Sequence, residues 1–392
     1  MNKRMIALLL CTAMVLAGCG GASSAAPVAS APASAPAAPE SLPAVSEAAP
    51  VAAAGLFPAI AKEKLKIGVI HITDPAEGSG YTFTHDRGIV GMQKNLGIAD
   101  DQIVRKINVK DDDATMIENA MLECIEEGCN IIFATSWGYM DTCAALAEAY
   151  PDVLFAHGTG YKSNGKNFIN YFGRIYQARY LSGIAAGLKT ESNKLGYVAA
   201  WGTDNGEVTS GCNAFAMGAY SVNPDAQVFV KTTNSWFNPE GEKQAAEALI
   251  AEGCDVIGQH CDTPNPQLAA EEKKVWGVGY NSDMTKDAPK AVLTSAIWNW
   301  DAFYTWAVKS AIEGTWTGEN YYGGLKDGFV DITEPTALCA EGTKEAIEAA
   351  RTKILSGDWD VFDGEIEGND GAKHTSKHYS DVNWYFKNVV VK

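Results

Sequence analysis

The sequence lacks the short motifs that mark many enzymes and metal proteins. It contains no CxxC pair, no HExxH, no GxSxG and no glycine loop with phosphate-cradling spacing. The adjacent carboxylates at 111–113 do not have the spacing of a calcium loop. Basic residues are also scarce, with 31 Lys and Arg against 48 Asp and Glu and a formal net charge of −17. An acidic chain without a basic, aromatic-interleaved patch repels nucleic acid, so nucleic-acid binding is excluded, and no metal or cofactor is predicted.

Long apolar runs are missing except near the amino terminus. The run at about 5–16 is too short to span a bilayer, follows two basic residues and ends in "LAGC", which resembles the bacterial lipoprotein signal. We therefore expect residues 1–18 to be an export signal and Cys19 to carry lipid. The Ala/Pro/Ser-rich stretch 19–64 is expected to tether the protein to an outward-facing membrane surface.

A regular disulfide framework is also missing. Nine cysteines are present, and an odd number remains once Cys11 leaves with the signal and Cys19 carries lipid. Cys124, Cys129 and Cys254 fall where a helical pattern runs into a strand pattern. Most cysteines are expected to be small buried hydrophobes, and whether one pair is joined stays open.

What the sequence does contain is an internal repeat. "ATMIENAMLECIEEGCNIIFATSWG" (114–138) has helical spacing, a glycine stop and an apolar strand, and "EKQAAEALIAEGCDVIGQHCDT" (242–263) copies this order. Buried-strand patterns, "KIGVIHI" and "LGYVAAW", open the two halves. Alternating strands and helices predict an α/β clamshell of two lobes, each a mainly parallel sheet flanked by helices. The predicted lobes are 65–186 plus 296–325, and 187–295 plus 326–392, with crossings near 183–194, 295–300 and 323–331.

Several segments, taken in order, resemble one family. They include "GSGYTFTHDRG", "IIFATSWGYMD", "NSWFNPEGE" and "GVGYNSDM". Together with "LAGC" they resemble the basic membrane protein family, also called Med or PnrA-like lipoproteins. The resemblance implies a type I periplasmic-binding-protein fold that binds purines or purine nucleosides and docks, when closed, on the transmembrane subunits of an ABC permease. It implies no enzymatic activity and no cofactor, and a monomer is expected.

The ligand is expected beyond the carboxyl ends of the strands, where loops carry aromatics and carboxylates. Aromatic side chains would stack on a purine ring and carboxylates would accept from its N–H groups. The resemblance places Tyr81 and Trp137 at stacking positions, keeps Asp283, and puts Trp298 where the family commonly has a Lys near the sugar. Because a Trp offers ribose neither partners nor room, we expect a free base. The segments "GYMD", "NSWF" and "SDM" resemble a branch of the family, and that resemblance implies adenine in particular. The full predicted site is Tyr81, Ser136, Trp137, Glu207, Trp236, Asp262, Asp283 and Trp298.

Other interpretations stay open. Trp236 is expected to be a purine-facing wall with Phe237 as its buried support, but either could plug the core from a loop. Glu207 and Asp262 could be ordinary turn or capping residues. The alternative functions are nucleoside binding, ligand sensing at a membrane receptor and secreted nucleoside hydrolysis. The last would need a clustered Asp/Asn metal site near the first strand, where only Asp74 and Glu77 are available.

Overall fold

The computed structural model describes residues 55–76, 78 and 80–392. The predicted export signal and the lipidation site at Cys19 lie outside the described residues, as does most of the predicted tether. Its last part, 55–64, is not a free linker as expected, because it is hydrogen-bonded to the folded body. The N–H of Leu56 donates to the carbonyl of Trp316 at 2.7 Å, and that of Ile60 to the carbonyl of Ala311 at 3.0 Å.

Helices and strands alternate along most of the described chain. The strands are β1 (Ile67–Ile70), β2 (Ile103–Lys106), β3 (Ile131–Ala134), β4 (Leu154–Gly158), β5 (Phe168–Gly173), β6 (Lys194–Ala199), β7 (Gln227–Thr232), β8 (Val256–His260), β9 (Trp276–Asn281), β10 (Val292–Trp298), β11 (Tyr321–Gly323), β12 (Val330–Ile332), β13 (Ile366–Glu367), β14 (Lys373–His374) and β15 (Val389–Val391). The helices are α1 (Tyr81–Leu96), α2 (Ala114–Glu126), α3 (Met140–Ala149), α4 (Ile175–Lys189), α5 (Gly206–Val222), α6 (Pro239–Ala251), α7 (Asn265–Lys273), α8 (Trp300–Glu313) and α9 (Thr343–Ser356). None of these helices is both long enough and apolar enough to cross a membrane.

Two large sheets form the framework of the described chain. The first has the order β11-β5-β4-β3-β1-β2 and is parallel throughout. The second has the order β12-β10-β9-β8-β6-β7-β15 and is parallel except for β12 against β10. Central strands such as β1 and β3 are apolar and buried at every residue, as strands covered on both faces must be. The predicted α/β class with mainly parallel sheets is confirmed.

The sequence repeat corresponds to a repeated helix end. Gly128 (φ +85°) follows α2 and Gly253 (φ +94°) follows α6, both in the left-handed region that favours glycine. After each glycine the next N–H reaches back to the helix, from Cys129 to the carbonyl of Cys124 at 2.9 Å and from Cys254 to that of Leu249 at 3.1 Å. This turn sends the chain directly into β3 and β8, the centres of the two sheets.

The first crossing between the sheets lies earlier than predicted. Strand β5 ends in the first sheet at Gly173, and α4 then packs on α5, α9 and β10 of the second. The crossing is therefore at 173–175 rather than 183–194, and a lobe boundary at 186 would cut through α4. The prediction is late because α4 is buried along almost its whole length, so no exposed polar face marks where the helix starts. The other crossings are at 298–300, between β10 and α8, and at 323–330, between β11 and β12.

Candidate ligand-binding site

The two lobes touch at the carboxyl ends of their strands. Gly80, just before α1 in the first lobe, approaches Asp262, which follows β8 in the second. A Cβ added to Gly80 would lie 2.1 Å from the carbonyl oxygen of Asp262. The adjacent Tyr81 donates its hydroxyl to the carbonyl of Thr135 at 2.5 Å within the first lobe. Burial raises the pKa of Tyr81, and the nearby Glu207 and Asp262 raise it further, so groups of both lobes converge here.

Two carboxyl groups of the second lobe form the polar centre of the site. Glu207 lies in the first turn of α5, and its Oε1 is 3.4 Å from Nε2 of His260. Asp262 accepts from Nδ2 of Asn281 at 2.9 Å. Burial raises the pKa of Glu207 to about 8, with Asp262 adding to the effect and Arg179 opposing it. Burial also raises the pKa of Asp262 to about 7. At neutral pH these groups can therefore hold protons and both donate and accept hydrogen bonds.

A buried arginine lies beside these carboxyls. Arg179 projects from the middle of α4 and is 1% exposed. Its guanidinium lies 3.9 Å from the centre of the Tyr280 ring and donates through Nη1 to the carbonyl of Gln259. Among the described residues its Nε and Nη2 have no partner. Buried donors are normally satisfied, so this guanidinium can serve a ligand acceptor. Burial, with the positive charge of Arg179, lowers the pKa of His260, which keeps that imidazole neutral.

A stack of aromatic rings packs beside the site at the crossing between the sheets at 298–300. Trp298 stacks on Trp300 with ring centres 4.6 Å apart, and Trp300 stacks on His85 at 3.9 Å. The indole N–H of Trp298 donates to the hydroxyl of Tyr280 at 3.2 Å. Trp298 is buried at 5% exposure. Trp298, at the crossing between the sheets, therefore fixes the position of Tyr280, and the Tyr280 ring in turn packs against the guanidinium of Arg179.

The loop after β7 supplies a half-buried ring. Trp236 lies 6.0 Å from the ring of His260, and its carbonyl accepts from the N–H of Asp262 at 2.9 Å, which fixes the loop against the polar centre. Phe237 was expected to be its buried support, and this is wrong, since Phe237 is 64% exposed. The reason is local: Asn238 caps α6 by accepting from the N–H of Gly241 at 3.0 Å. The chain therefore turns into the helix immediately after Phe237, which is left outside.

Three other predicted residues have partners of their own in the described chain. Ser136 donates to Oδ2 of Asp111 at 2.6 Å. Asp283 accepts from the N–H and hydroxyl of Thr285 at 3.1 and 2.5 Å. Trp137 is 56% exposed and packs against Tyr161, also exposed, with ring centres 5.9 Å apart. Their part in ligand binding stays a prediction.

Four residues outside the predicted site lie at the polar centre or against it: Arg179, His260, Tyr280 and Tyr379. Tyr379 comes from a short 3-10 helix near the carboxyl terminus and stacks on Tyr322 of the first lobe, with ring centres 5.9 Å apart. Its carbonyl oxygen would lie 2.7 Å from a Cβ on Gly206 of the second lobe. Burial raises the pKa of Tyr379 and nearby Glu207 raises it further. Only Arg179 had a usable signal, a charge within the apolar pattern of α4.

No cluster of three or more His, Cys, Asp or Glu that could hold a metal ion is found within 55–76, 78 and 80–392. The arrangement offers two carboxyls with raised pKa values, a buried guanidinium and aromatic rings between two lobes. Such a site suits reversible binding of a flat, polar small molecule.

Comparison with known proteins agrees with this architecture. Residues 64–361 match the family described as ABC transporter substrate-binding protein PnrA-like. The chain belongs to this family. The resemblance noted in the sequence is thus confirmed, and with it the type I periplasmic-binding-protein fold. A crystal structure of an ABC transporter solute-binding protein from Aeropyrum pernix has the same fold, with a TM-score of 0.64 at 16% identity over 81% of this chain and 96% of that one.

Two relatives of this PnrA-like protein have names that state a ligand. A purine-binding protein of Brucella abortus is 35% identical over 315 residues, 80% of this chain and 88% of that protein. A putative ABC transporter glucose-binding protein of Haloferax volcanii is 36% identical over 285 residues, 73% of this chain and 71% of that protein. Both are transporter or ligand-binding proteins, but their stated ligands differ in chemistry.

Proposed function

We propose that this PnrA-like protein binds a free purine base, adenine or a close analogue, between its lobes and delivers it to an ABC permease. The observation that carries the proposal is the position of Glu207, buried next to Asp262 and among the rings of Tyr81 and Tyr280, which raises its pKa to about 8. A neutral carboxyl presents a donor and an acceptor side by side. Adenine presents the matching pair, its exocyclic N6–H beside a ring-nitrogen acceptor.

The remaining groups suit the other parts of a purine. Trp236 and Tyr81, from opposite lobes, are available to the faces of the ring, and each stacking contact contributes about 1–3 kcal/mol. The unpaired donors of Arg179 suit a further ring nitrogen. An ionised carboxylate, which only accepts, would instead favour the adjacent N–H groups of guanine, so the raised pKa of Glu207 discriminates between purines.

Transport follows from closure. Ligand that contacts both lobes binds the closed form more tightly than the open form and shifts the population toward closure. The closed form would dock on the permease outside the cytoplasm, where the predicted lipid at Cys19 would keep it at the membrane.

The rivals are a purine nucleoside and, from the name of the Haloferax relative, glucose. Calorimetric titration of ligand-free protein at pH 7 with adenine, adenosine, guanine and glucose separates them. We expect adenine to bind most tightly, because its N9–H is free and no ribose must be accommodated. Tighter binding of adenosine than of adenine would show that the ligand is a nucleoside and not a free base. Binding of glucose alone would refute the purine proposal.

A further inference from the structure

Two cysteines lie against each other at the end of α2, at the edge of the first sheet opposite the ligand site. The N–H of Cys129 donates to the carbonyl of Cys124, and the N–H of Gly128 donates to the carbonyl of Ile125, both at 2.9 Å. With Gly128 at φ +85°, this is a Schellman helix end. In that motif the residues joined by the longer hydrogen bond commonly bring their side chains into contact. Here both side chains are thiols, and both are buried.

The second copy of the repeat shows that this helix end does not need two cysteines. There the corresponding hydrogen bond joins Cys254 to Leu249, and Gly253 has the same left-handed conformation. Leu249 supplies the apolar contact that the motif favours. Cys124 therefore replaces an ordinary leucine, and the thiol pair is a property of the first copy alone.

We propose that Cys124 and Cys129 are a disulfide-forming pair that closes when the chain meets a small-molecule disulfide such as oxidised glutathione. The Cys129 thiolate attacks one sulfur of the oxidant and releases one glutathione thiolate. The Cys124 thiolate then attacks the Cys129 sulfur of the mixed disulfide and releases the second. Two electrons pass to the oxidant and the two thiol protons leave with its two thiols.

The local charges favour this order of attack. The neighbouring Cys124 thiol and the positive charge of Lys66 lower the pKa of Cys129, whereas the neighbouring Cys129 and burial raise the pKa of Cys124. Both side chains are buried, and Cys124 packs against the backbone of Gly68 in β1. Buried thiols react slowly in the folded protein, so the pair is expected to close chiefly as the chain folds.

Peptide mapping tests the pair directly. The full chain is reduced, unfolded and refolded with reduced and oxidised glutathione, and free thiols are then alkylated under denaturing conditions. Cleavage after Glu126 and Glu127 separates the two cysteines. A linked peptide containing Cys124 and Cys129, which becomes two alkylated peptides after reduction, is the expected result. Full alkylation of both cysteines without reduction would overturn the proposal, as would pairing of either with another cysteine.

The repeat provides matched variants. Cys124→Leu copies the second unit and should leave Cys129 alkylated with or without reductant. Leu249→Cys should create a second link, to Cys254, because the helix end there has the same geometry. If folded L249C protein forms the Cys124–Cys129 disulfide but no disulfide between position 249 and Cys254, the geometry of the helix end is not what brings the two thiols together. Neither variant touches the ligand site, so adenine binding should be unchanged and the outcome is independent of the proposed function.

Discussion

Glu207 gives the sharpest test of the proposed ligand, because its protonation decides whether it can donate to adenine. Burial and Asp262 raise the pKa of Glu207 to about 8, and Arg179 opposes them. A carboxyl with a raised pKa keeps its proton below that value and loses it as the pH rises through it. Adenine affinity should therefore be greatest on the acid side and fall as the pH rises toward about 8, where the closed form loses the proton as well.

The size of the fall follows from the titration. In the closed protein a group with this pKa is about nine-tenths protonated at pH 7 and about one-tenth at pH 9, whereas the open, solvated carboxyl is ionised at both. Affinity should therefore fall about tenfold over that range and level off above it. Glu207→Gln keeps a donor beside an acceptor but does not titrate. It should retain adenine binding at pH 7 and lose the step near pH 8. Any remaining slope near pH 7 would come from Asp262. The ionisable groups around Glu207 are Tyr81, Arg179, His260, Asp262, Tyr280 and Tyr379.

The assay is calorimetric titration with adenine from pH 6 to 9, for wild type and E207Q. Repeating the titrations in buffers of different ionisation enthalpy counts the protons taken up on binding. Proton uptake is expected at pH 7 for wild type, since the open, solvated carboxyl has a lower pKa than the closed one. The reasoning fails if wild-type affinity is flat across the range, or if E207Q falls as steeply as wild type.

Three further predictions concern single side chains. Trp236→Ala should weaken adenine binding about tenfold or more, a loss within the range of one stacking contact, whereas Phe237→Ala, on the exposed neighbour, should not. Gly80→Ala should weaken binding because the added Cβ blocks closure, and the radius of gyration from small-angle scattering should then stay at the ligand-free value when ligand is added. Gly202→Ala is the control, because its added Cβ meets nothing nearer than 3.7 Å. Arg179→Met should move the alkaline fall in affinity to higher pH, because the guanidinium lowers the carboxyl pKa, whereas R179K should not.

The fold was predictable because it depends on local patterns. Runs such as "IGVI" and "IIFA" are apolar at successive positions, which is typical of strands covered on both faces. Gly128 and Gly253 marked the helix ends because the left-handed conformation there favours glycine. The crossing at 173–175 was missed because α4 is buried almost all round, and no polar face shows where it starts or which sheet it packs on.

The site was only partly predictable, for a different reason. The strand-end rule selects loops, and it found Glu207, Trp236 and Asp262. Arg179 reaches the same place from the interior of a helix, which the rule does not consider. Tyr379 arrives from a segment beyond residue 361, where the match to the family ends. Phe237 was predicted wrongly for another reason. The sequence of a loop does not show which of two adjacent rings is buried and which is exposed until the geometry of the turn is known.

The polar groups of the site are unevenly divided between the lobes, and this implies an order of binding. Arg179, Glu207, His260 and Asp262 belong to elements that pack on the second sheet, whereas the first lobe contributes the ring of Tyr81. The proposed base would therefore form its edge hydrogen bonds with the second lobe while the clamshell is open. Closure then adds stacking from the first lobe and removes water from the carboxyls, which raises their pKa. The proton uptake expected on binding is thus a property of closure rather than of the first encounter.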